Sequence, residues 1–331
     1  MDEAILNNEL NNYISDHFSP RLDDRTYISK KYELIKAVVG DSVFQSGSYG
    51  RFTAIYPVHD LDVIYVCKDP LLQVHPLTFM QELKRKLEVA KIKGVKNIDV
   101  QTHSVTIEFD DAVNDFGIDI VPAHELNETN EFGQPLYLVP EILTMNHSKR
   151  AERYVNAATK PIGWVRTDPR GYMSIASKLN EMNANFRHTV KLVKAWRHAA
   201  KEIYKSGFKL KSFHLELIIT EYFINHPDAT TSEAVVESLG ELGTSLTVPS
   251  ISDRADSLSF VDQYVAELTV TERQLIYNLQ SKAHVAAGNI LAADNTDALH
   301  TAIEGLTNIK PGIVSTSASS TPIPPQQPWA G

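Results

Sequence analysis

The chain has 331 residues with 41 acidic and 32 basic side chains, a formal net charge of −9 and one cysteine. A single cysteine excludes a disulfide framework and a zinc site of several thiolates, and no apolar run reaches the roughly 18 residues of a membrane-spanning helix. We expect a cytoplasmic protein of about two domains, because Asp2 and Glu3 stand where a secretion signal is basic. The acidic charge also argues against binding of extended nucleic acid.

The first half of the sequence predicts helices mixed with strands. Residues 1–40 have helical spacing that stops at a glycine, and apolar runs at 43–46 and 61–67 predict strands. A Thr-x-x-Gln capping-box spacing predicts a helix over 78–91. A β-hairpin is predicted by alternating polarity on both sides of a polar turn, with strands over 98–109 and 116–121 and the turn at 110–115.

From Trp164 onward the pattern predicts helices, and Asp168-Pro169 is suited to the cap and first position of one of them. Further helices are predicted over 186–205, 213–225, 232–240, 255–269 and 271–287. The last residues hold five prolines among Ser and Thr, which disfavours a packed element. The fold class is therefore α+β, with a mixed domain over 1–165, a helical domain over 166–310 and a disordered tail over 311–331.

Two acids open the most apolar predicted strand. Asp60 and Asp62 flank Leu61, so the two-residue period of a strand places both carboxylates on one face. Such a pair is unfavourable unless a cation neutralises it, and carboxylate oxygens suit Mg²⁺. A solvated strand end is the ordinary alternative for an isolated Asp-x-Asp.

Two neighbouring features favour a metal site. Gly47-Ser48 begins a short turn after a predicted strand, where backbone N–H groups and the Ser48 hydroxyl can hold phosphate oxygens. Asp119 is a single acid inside an apolar strand, which is costly unless the charge is paired. We interpret it as a third metal ligand, so that Asp60, Asp62 and Asp119 form an apparatus for two-metal phosphoryl transfer.

In combination these motifs resemble the nucleotidyltransferase signature of the polymerase-beta superfamily. Within it, the segments 47–55, 60–64 and 118–123 resemble the bacterial cyclic-oligonucleotide synthases (CD-NTases), relatives of cGAS and oligoadenylate synthase. The resemblance implies a polymerase-beta-like catalytic domain with a mixed sheet, then a helical domain of the oligoadenylate-synthase type, with a cleft between the two lobes. It also implies that Gly47, Ser48 and Arg51 contact the nucleotide.

The helical half contains a basic stretch. Residues 178–211 hold nine Lys and Arg against two Glu, and Lys191, Lys194 and Lys201 fall on one side of a helix with an apolar back. A solvated face is the ordinary interpretation of such a stripe. The resemblance implies instead that Lys194 contacts the donor triphosphate, with Lys191 one turn earlier as the next candidate.

The resemblance implies an enzyme that uses Mg²⁺, or Mn²⁺ as an alternative, to join NTPs into a cyclic di- or trinucleotide with release of pyrophosphate, in anti-phage (CBASS) signalling. ATP is the expected substrate, and the second base is open. A linear oligonucleotide synthase and a nucleotide-binding regulator without catalysis stay open as alternatives.

The end of the chain supports a separate hypothesis. Some CD-NTases are joined through their C-terminal residue to a target amine by ubiquitin-transfer-like conjugating enzymes. A flexible tail that ends in Gly331 suits that chemistry, because glycine has no Cβ to crowd the activated carboxyl. A frayed chain end is the ordinary alternative.

Overall fold

The computed structural model describes residues 1–70, 72–73, 75–110, 115–143 and 162–308. The predicted tail, the hypothesised conjugation site Gly331 and most of the polar turn predicted at 110–115 lie outside these residues. Among the helices that are described, none is both long and apolar enough to cross a membrane.

Two helices come first, α1 (Glu3–Phe18) and α2 (Leu22–Val39), and α2 stops at Gly40, whose φ of 104° favours glycine. The mixed region then contains β1 (Val43–Gln45), α3 (Gly47–Gly50), β2 (Asp60–Val66), α4 (Pro76–Val89), β3 (Val95–Val100), β4 (Val105–Phe109), β5 (Gly117–Thr129), β6 (Pro135–Ile142) and β7 (Ile162–Thr167). The helices that follow are α5 (Pro169–Met182), α6 (Asn185–Tyr204), α7 (Ser212–Asn225), α8 (Thr231–Ser245), α9 (Val270–Leu291) and α10 (Thr296–Thr307).

The described strands form one mixed sheet in the order β1-β2-β5-β4-β3, and the long β5 also pairs with β6, which pairs with β7. Strands β2 and β5 run parallel, whereas the other neighbours are antiparallel. Leu61 and Val63 of β2 are completely buried in a core shared with α2 and α4. Because side chains alternate along a strand, Asp60 and Asp62 are directed to the opposite face.

The second half is built around α6, whose Phe186, Val190 and Trp196 are buried in a core formed with α5 and α7–α10. Helix α1 contributes Leu6 and Ile14 to this same core. The first helix therefore packs on the helical half, although it precedes the sheet in sequence. The domain bounds 1–165 and 166–310 stay a prediction, and β7 spans the proposed boundary.

The α+β fold class is confirmed, and so is the start of α5, where Asp168 accepts a hydrogen bond from the Gly171 N–H at 2.9 Å and Pro169 occupies the first turn. Four local predictions are wrong. Helix α4 begins at Pro76 after His75, two residues before the predicted capping box, because proline is well suited to a first turn.

The other three errors concern two strand regions and an irregular segment. The run 98–109 is interrupted at 101–104 and forms β3 and β4, so the predicted hairpin is the β4–β5 pair. Residues 164–167 continue β7 instead of opening the helical region. The predicted helix over 255–269 is an irregular segment with one 3-10 turn, Gln263–Glu267, which is held by the buried Asp262 carboxylate accepting from the Ser250 and Ile251 N–H groups.

Candidate active site

A cleft of about 920 Å³ lies between the sheet and the helical half. Its walls come from the α3 turn, the start of β2, strand β7, helix α6, the start of α7 and the segment 253–261. Most of the residues that the sequence singles out line this cleft: Gly47, Ser48, Arg51, Asp60, Asp62 and Lys194. Asp119 and Lys191 are not among its lining residues.

The three candidate metal ligands lie on two adjacent parallel strands. Asp62 is the register partner of Asp119, and Asp60 pairs with Gly117 at the start of β5. The Asp119 carboxylate accepts hydrogen bonds from the hydroxyls of Thr106 and of Ser104, the latter at 3.3 Å. The sheet therefore brings the acids side by side. Asp119 is also held by Thr106 of β4 and by Ser104, the residue that precedes β4.

Burial and mutual repulsion raise the pKa values of two of these acids. Burial, followed by the charges of Asp60 and Asp119, raises the pKa of Asp62 to about 7. Burial and then the charge of Asp119 also raise the pKa of Asp60. A cation would remove this cost, and three carboxylates are a donor set that Mg²⁺ or Mn²⁺ accepts.

The chemistry of the donor set therefore fits a divalent cation, but the side chains are not gathered around one point. No group of three or more acidic, histidine or cysteine side chains in the described ranges is arranged to hold a metal ion as it stands. Asp119 is the ligand that would have to turn, since its carboxylate is bonded to Thr106 and Ser104.

The α3 turn packs directly on the acid pair. The Ser46 N–H donates to the Asp62 carbonyl at 2.8 Å, and the Thr53 N–H donates to the Ser48 carbonyl at 2.9 Å. Gly47 has a φ of 58°, and a Cβ at this position would overlap the Asp62 carboxylate. Glycine is therefore required here both by the backbone conformation and by the close approach of Asp62. The Ser48 side chain lies on the cleft wall beside this contact.

Behind the turn, a buried carboxylate gathers two cations. Glu216 of α7 is 2% exposed and accepts hydrogen bonds from Arg51 Nε at 2.6 Å, Lys194 Nζ at 2.7 Å and Thr53 Oγ1 at 3.0 Å. Burial alone would raise the pKa of Glu216, but Arg51 and Lys194 outweigh it and lower the pKa to about 2. This ion cluster joins the α3 turn to helices α6 and α7.

The cluster changes the interpretation of two predicted phosphate contacts. The Lys194 ammonium donates to Glu216, to the Thr53 carbonyl and to the Thr53 hydroxyl, which uses all three of its N–H bonds. Arg51 donates two bonds to Glu216, and its guanidinium lies 4.7 Å from the Phe213 ring centre. Both cations border the cleft, but each already forms an ion pair with Glu216 inside the protein.

Lys191 lies elsewhere. Its Nζ donates to the Ser19 hydroxyl at 2.9 Å, between α1 and α2. Burial, followed by repulsion from Arg25 and Arg187, lowers the pKa of Lys191 to about 8. Its observed contact therefore belongs to the packing of the first helices on α6.

Arg197 and its neighbours were not singled out by the sequence. Arg197 lines the cleft one helical turn after Lys194, and its Nε donates to the Leu210 carbonyl at 2.9 Å. Desolvation around the ammonium, followed by repulsion from Arg197 and Lys209, lowers the pKa of the neighbouring Lys211. An anion bound beside Arg197 would relieve this accumulation of positive charge. The sequence signal for Arg197 was its position three residues after Lys194, about one helical turn further along the same helix.

Similarity to known proteins is found in the structure and not in the sequence. No protein-family model matches the sequence, and no curated protein matches it. Solved structures do match, over most of the chain.

The fold is that of the CD-NTases. CdnC of E. coli MS115-1, solved in complex with HORMA-deltaN, is 16% identical with a TM-score of 0.65, over 91% of this chain and 96% of that one. The Bradyrhizobium diazoefficiens CD-NTase CdnG in complex with GTP is 13% identical with a TM-score of 0.64, over 92% and 94%. The Vibrio cholerae cyclic AMP-GMP synthase DncV is 13% identical with a TM-score of 0.55, over 80% and 68%.

Proposed function

We propose that the chain is a Mg²⁺-dependent nucleotidyltransferase that joins NTPs into a cyclic di- or trinucleotide and releases pyrophosphate. The observation that carries the proposal is the Asp60 and Asp62 pair, which lies beside Asp119 in register and in contact with the Gly47 turn on the wall of a large cleft. The fold adds support, because solved structures that share it include a cyclic AMP-GMP synthase and proteins in complex with ATP or GTP.

Asp60, Asp62 and Asp119 would hold Mg²⁺, with Mn²⁺ as an alternative. The bound cation supplies a lowered pKa at the acceptor hydroxyl and stabilises the charge on the leaving pyrophosphate. In this chain, Asp119 would have to give up its hydrogen bonds with Thr106 and Ser104 to act as a ligand. The raised pKa of Asp62 makes the site accept positive charge, whether a proton or a metal, near neutral pH.

The Gly47 turn and the cleft wall would hold the phosphates of the donor nucleotide. The Ser48 hydroxyl and the Gly47 turn lie at the acid pair, and Arg197 supplies a cation on the cleft wall. Lys194 and Arg51 position the turn through Glu216, and a direct contact from Lys194 to phosphate requires that it give up one of its three bonds.

The role of Arg197 is tested with Arg197→Gln. We expect the KM for the donor NTP to rise at least several-fold, because a charge-assisted contact to phosphate is lost. Lys178→Gln, which removes an exposed cation from α5, is the matched control and should leave KM unchanged. An unchanged KM in Arg197→Gln would place the triphosphate elsewhere in the cleft.

A role in CBASS signalling, with a HORMA-type protein as a candidate partner, belongs to the same proposal. The fold is shared with CdnC, which was solved in complex with HORMA-deltaN. Attachment through Gly331 to a conjugating enzyme's target stays a prediction from sequence, since that residue lies outside the described ranges.

The activity is tested by incubating the purified full chain with four NTPs and Mg²⁺ and separating the products before and after phosphatase treatment. A phosphatase-resistant product supports a cyclic nucleotide, and a phosphatase-sensitive ladder identifies a linear synthase. Absence of any product, with nucleotide binding retained, identifies a binding module. Single labelled NTPs then identify the bases, and the Asp60→Asn/Asp62→Asn variant serves as the inactive control.

A further inference from the structure

A series of aromatic side chains leads away from the Gly47 turn along the cleft wall. The Arg51 guanidinium, directly after the turn, lies 4.7 Å from the Phe213 ring centre. The Phe213 and Tyr172 rings then meet edge to face with centres 5.0 Å apart, and all three residues line the cleft. Both rings are half-buried, so they offer aromatic surface on which a flat ligand can stack.

The carboxylate of Asp253 follows Tyr172 in this series. Asp253 lines the same cleft, and the N–H of the next residue, Arg254, donates to the Tyr172 hydroxyl at 3.3 Å. Burial, and then the charge of Asp253, raise the pKa of the Tyr172 hydroxyl. The aromatic ring and the carboxylate are therefore neighbours on one wall.

The charge of Asp253 is not matched by a cation. Arg254 forms its ion pairs with Glu131 and with Asp168, and no Lys or Arg in the described ranges forms one with Asp253. The Asp253 carboxylate accepts a hydrogen bond from the Ala255 N–H at 2.8 Å, but burial raises the pKa of Asp253 by more than this bond lowers it. Because a carboxylate has about four acceptor positions, this one retains capacity for a ligand in the cleft.

A carboxylate discriminates among the nucleobases. When ionised it only accepts hydrogen bonds, through two oxygens that lie side by side. The Watson–Crick edge of guanine presents two adjacent donors, N1–H and the 2-amino group. Adenine and cytosine each present an amino group beside a ring nitrogen that repels the carboxylate, and uracil presents one N–H between two carbonyls. Guanine is therefore the base that matches this wall.

We propose that Asp253 selects guanine as the base of the donor nucleotide. Its carboxylate accepts from N1–H and from the 2-amino group, while the base stacks on the Tyr172 ring. The phosphates then reach back past Phe213 to the Gly47 turn. That the bound nucleotide is the donor rests on the proposed function, whereas the preference for guanine in binding does not.

Binding is measured by calorimetry on the full chain with Mg²⁺ and the α,β-methylene analogues of GTP, ITP and ATP, in which the bond that would break is blocked. Inosine lacks only the 2-amino group of guanosine, so ITP removes one of the two donors. We expect the GTP analogue to bind about tenfold more tightly than the ITP analogue and at least tenfold more tightly than the ATP analogue, because each loses a hydrogen bond to a charged group. Equal affinity for the GTP analogue and either other analogue would overturn the proposal.

The role of Asp253 itself is tested with Asp253→Asn, which keeps an oxygen for the Ala255 N–H. The variant has no second acceptor oxygen for the 2-amino group, so the GTP and ITP analogues should bind equally. Asp256→Asn is the matched control in the same segment and should retain the preference, because the Asp256 carboxylate already accepts from the Leu258 N–H and the Ser259 hydroxyl. A GTP preference over ITP that persists in Asp253→Asn, or its loss in both variants, would overturn the assignment. Urea unfolding verifies that both variants fold, and the comparison in wild type needs neither.

Failure of guanine recognition and failure of the proposed activity give different results. If the analogues bind in the expected order but the chain makes no product from NTPs, the activity fails and guanine recognition stands. If the chain makes product from ATP alone as fast as with GTP present, the activity stands and the guanine assignment falls.

Discussion

Replacement of Glu216 by glutamine should destabilise the protein far more than the same replacement of Glu221, the other glutamate of helix α7. The variant keeps the shape of the side chain but removes the charge that Arg51 and Lys194 share. Both cations are almost completely buried, and a buried charge without a partner is strongly destabilising. The ion cluster joins the α3 turn to the helical half, so the phosphate-holding turn should loosen as well.

The magnitude follows from the pKa of Glu216, which falls from 4.5 to about 2 in the folded protein. At 1.36 kcal/mol per pKa unit this difference corresponds to about 3 kcal/mol of stability at pH 7. Because the folded pKa is depressed, the contribution is fully present above pH 4.5 and is lost as the pH falls toward 2. The same relation gives about 2 kcal/mol at pH 3.5.

The assay is urea unfolding of wild type and Glu216→Gln at pH 7, 5 and 3.5. The difference in free energy of unfolding should be about 3 kcal/mol at the two higher pH values and should shrink at the lowest. Glu221→Gln, on the exposed side of the same helix, should change stability by less than about 0.5 kcal/mol. Adding Lys194→Met to Glu216→Gln should restore part of the loss, since it removes one unpaired cation. A loss below about 1 kcal/mol, or one that does not depend on pH, would contradict this account of the cluster.

Three further predictions concern the acid pair and the turn. Asp60→Asn/Asp62→Asn should abolish product while leaving urea stability at pH 8 equal or higher, because like-charge repulsion is removed from the metal-free protein; retained turnover would refute the metal-site hypothesis. Asp119→Ala should lower kcat far more than it changes nucleotide Kd, and equal losses would make it a structural residue. Gly47→Ala should lower the melting temperature and activity because its Cβ meets Asp62, whereas Gly163→Ala, with open space around it, should change neither much.

Some parts of the fold could be predicted because their signals are local. Asp60 and Asp62 alternate with completely buried residues, so a two-residue period alone places them together on one face. The start of α5 was also local, since Asp168 and Pro169 form a cap and a first turn without help from distant residues. The cost of a lone acid in an apolar strand identified Asp119 as a partner of the acid pair, but the parallel register that places it beside Asp62 was not predicted, because strand order is not encoded locally in either strand.

The remaining parts depend on contacts that are distant in sequence. Glu216 lies 165 residues from Arg51 and 22 from Lys194, and in the sequence it is a single acid in an apolar helical run. Nothing local distinguishes a lysine that faces a ligand from one that faces a buried glutamate. The helix predicted over 255–269 failed for a related reason, because the segment is fixed by Asp262 reaching back to the backbone of residues 250–251.

The acid pair Asp60 and Asp62 and the Glu216 ion cluster lie close together at the cleft but differ in how their charges are compensated. Burial and the repulsion between the acids outweigh the attraction of the nearby Arg51 and Lys194, so the pKa of Asp62 rises to about 7. Both cations form their ion pairs with Glu216, and they therefore offset the charge of the aspartates only in part. We propose that the ion cluster does more than support the turn, because by pairing both cations with Glu216 it would leave the carboxylates able to bind the metal of the proposed reaction.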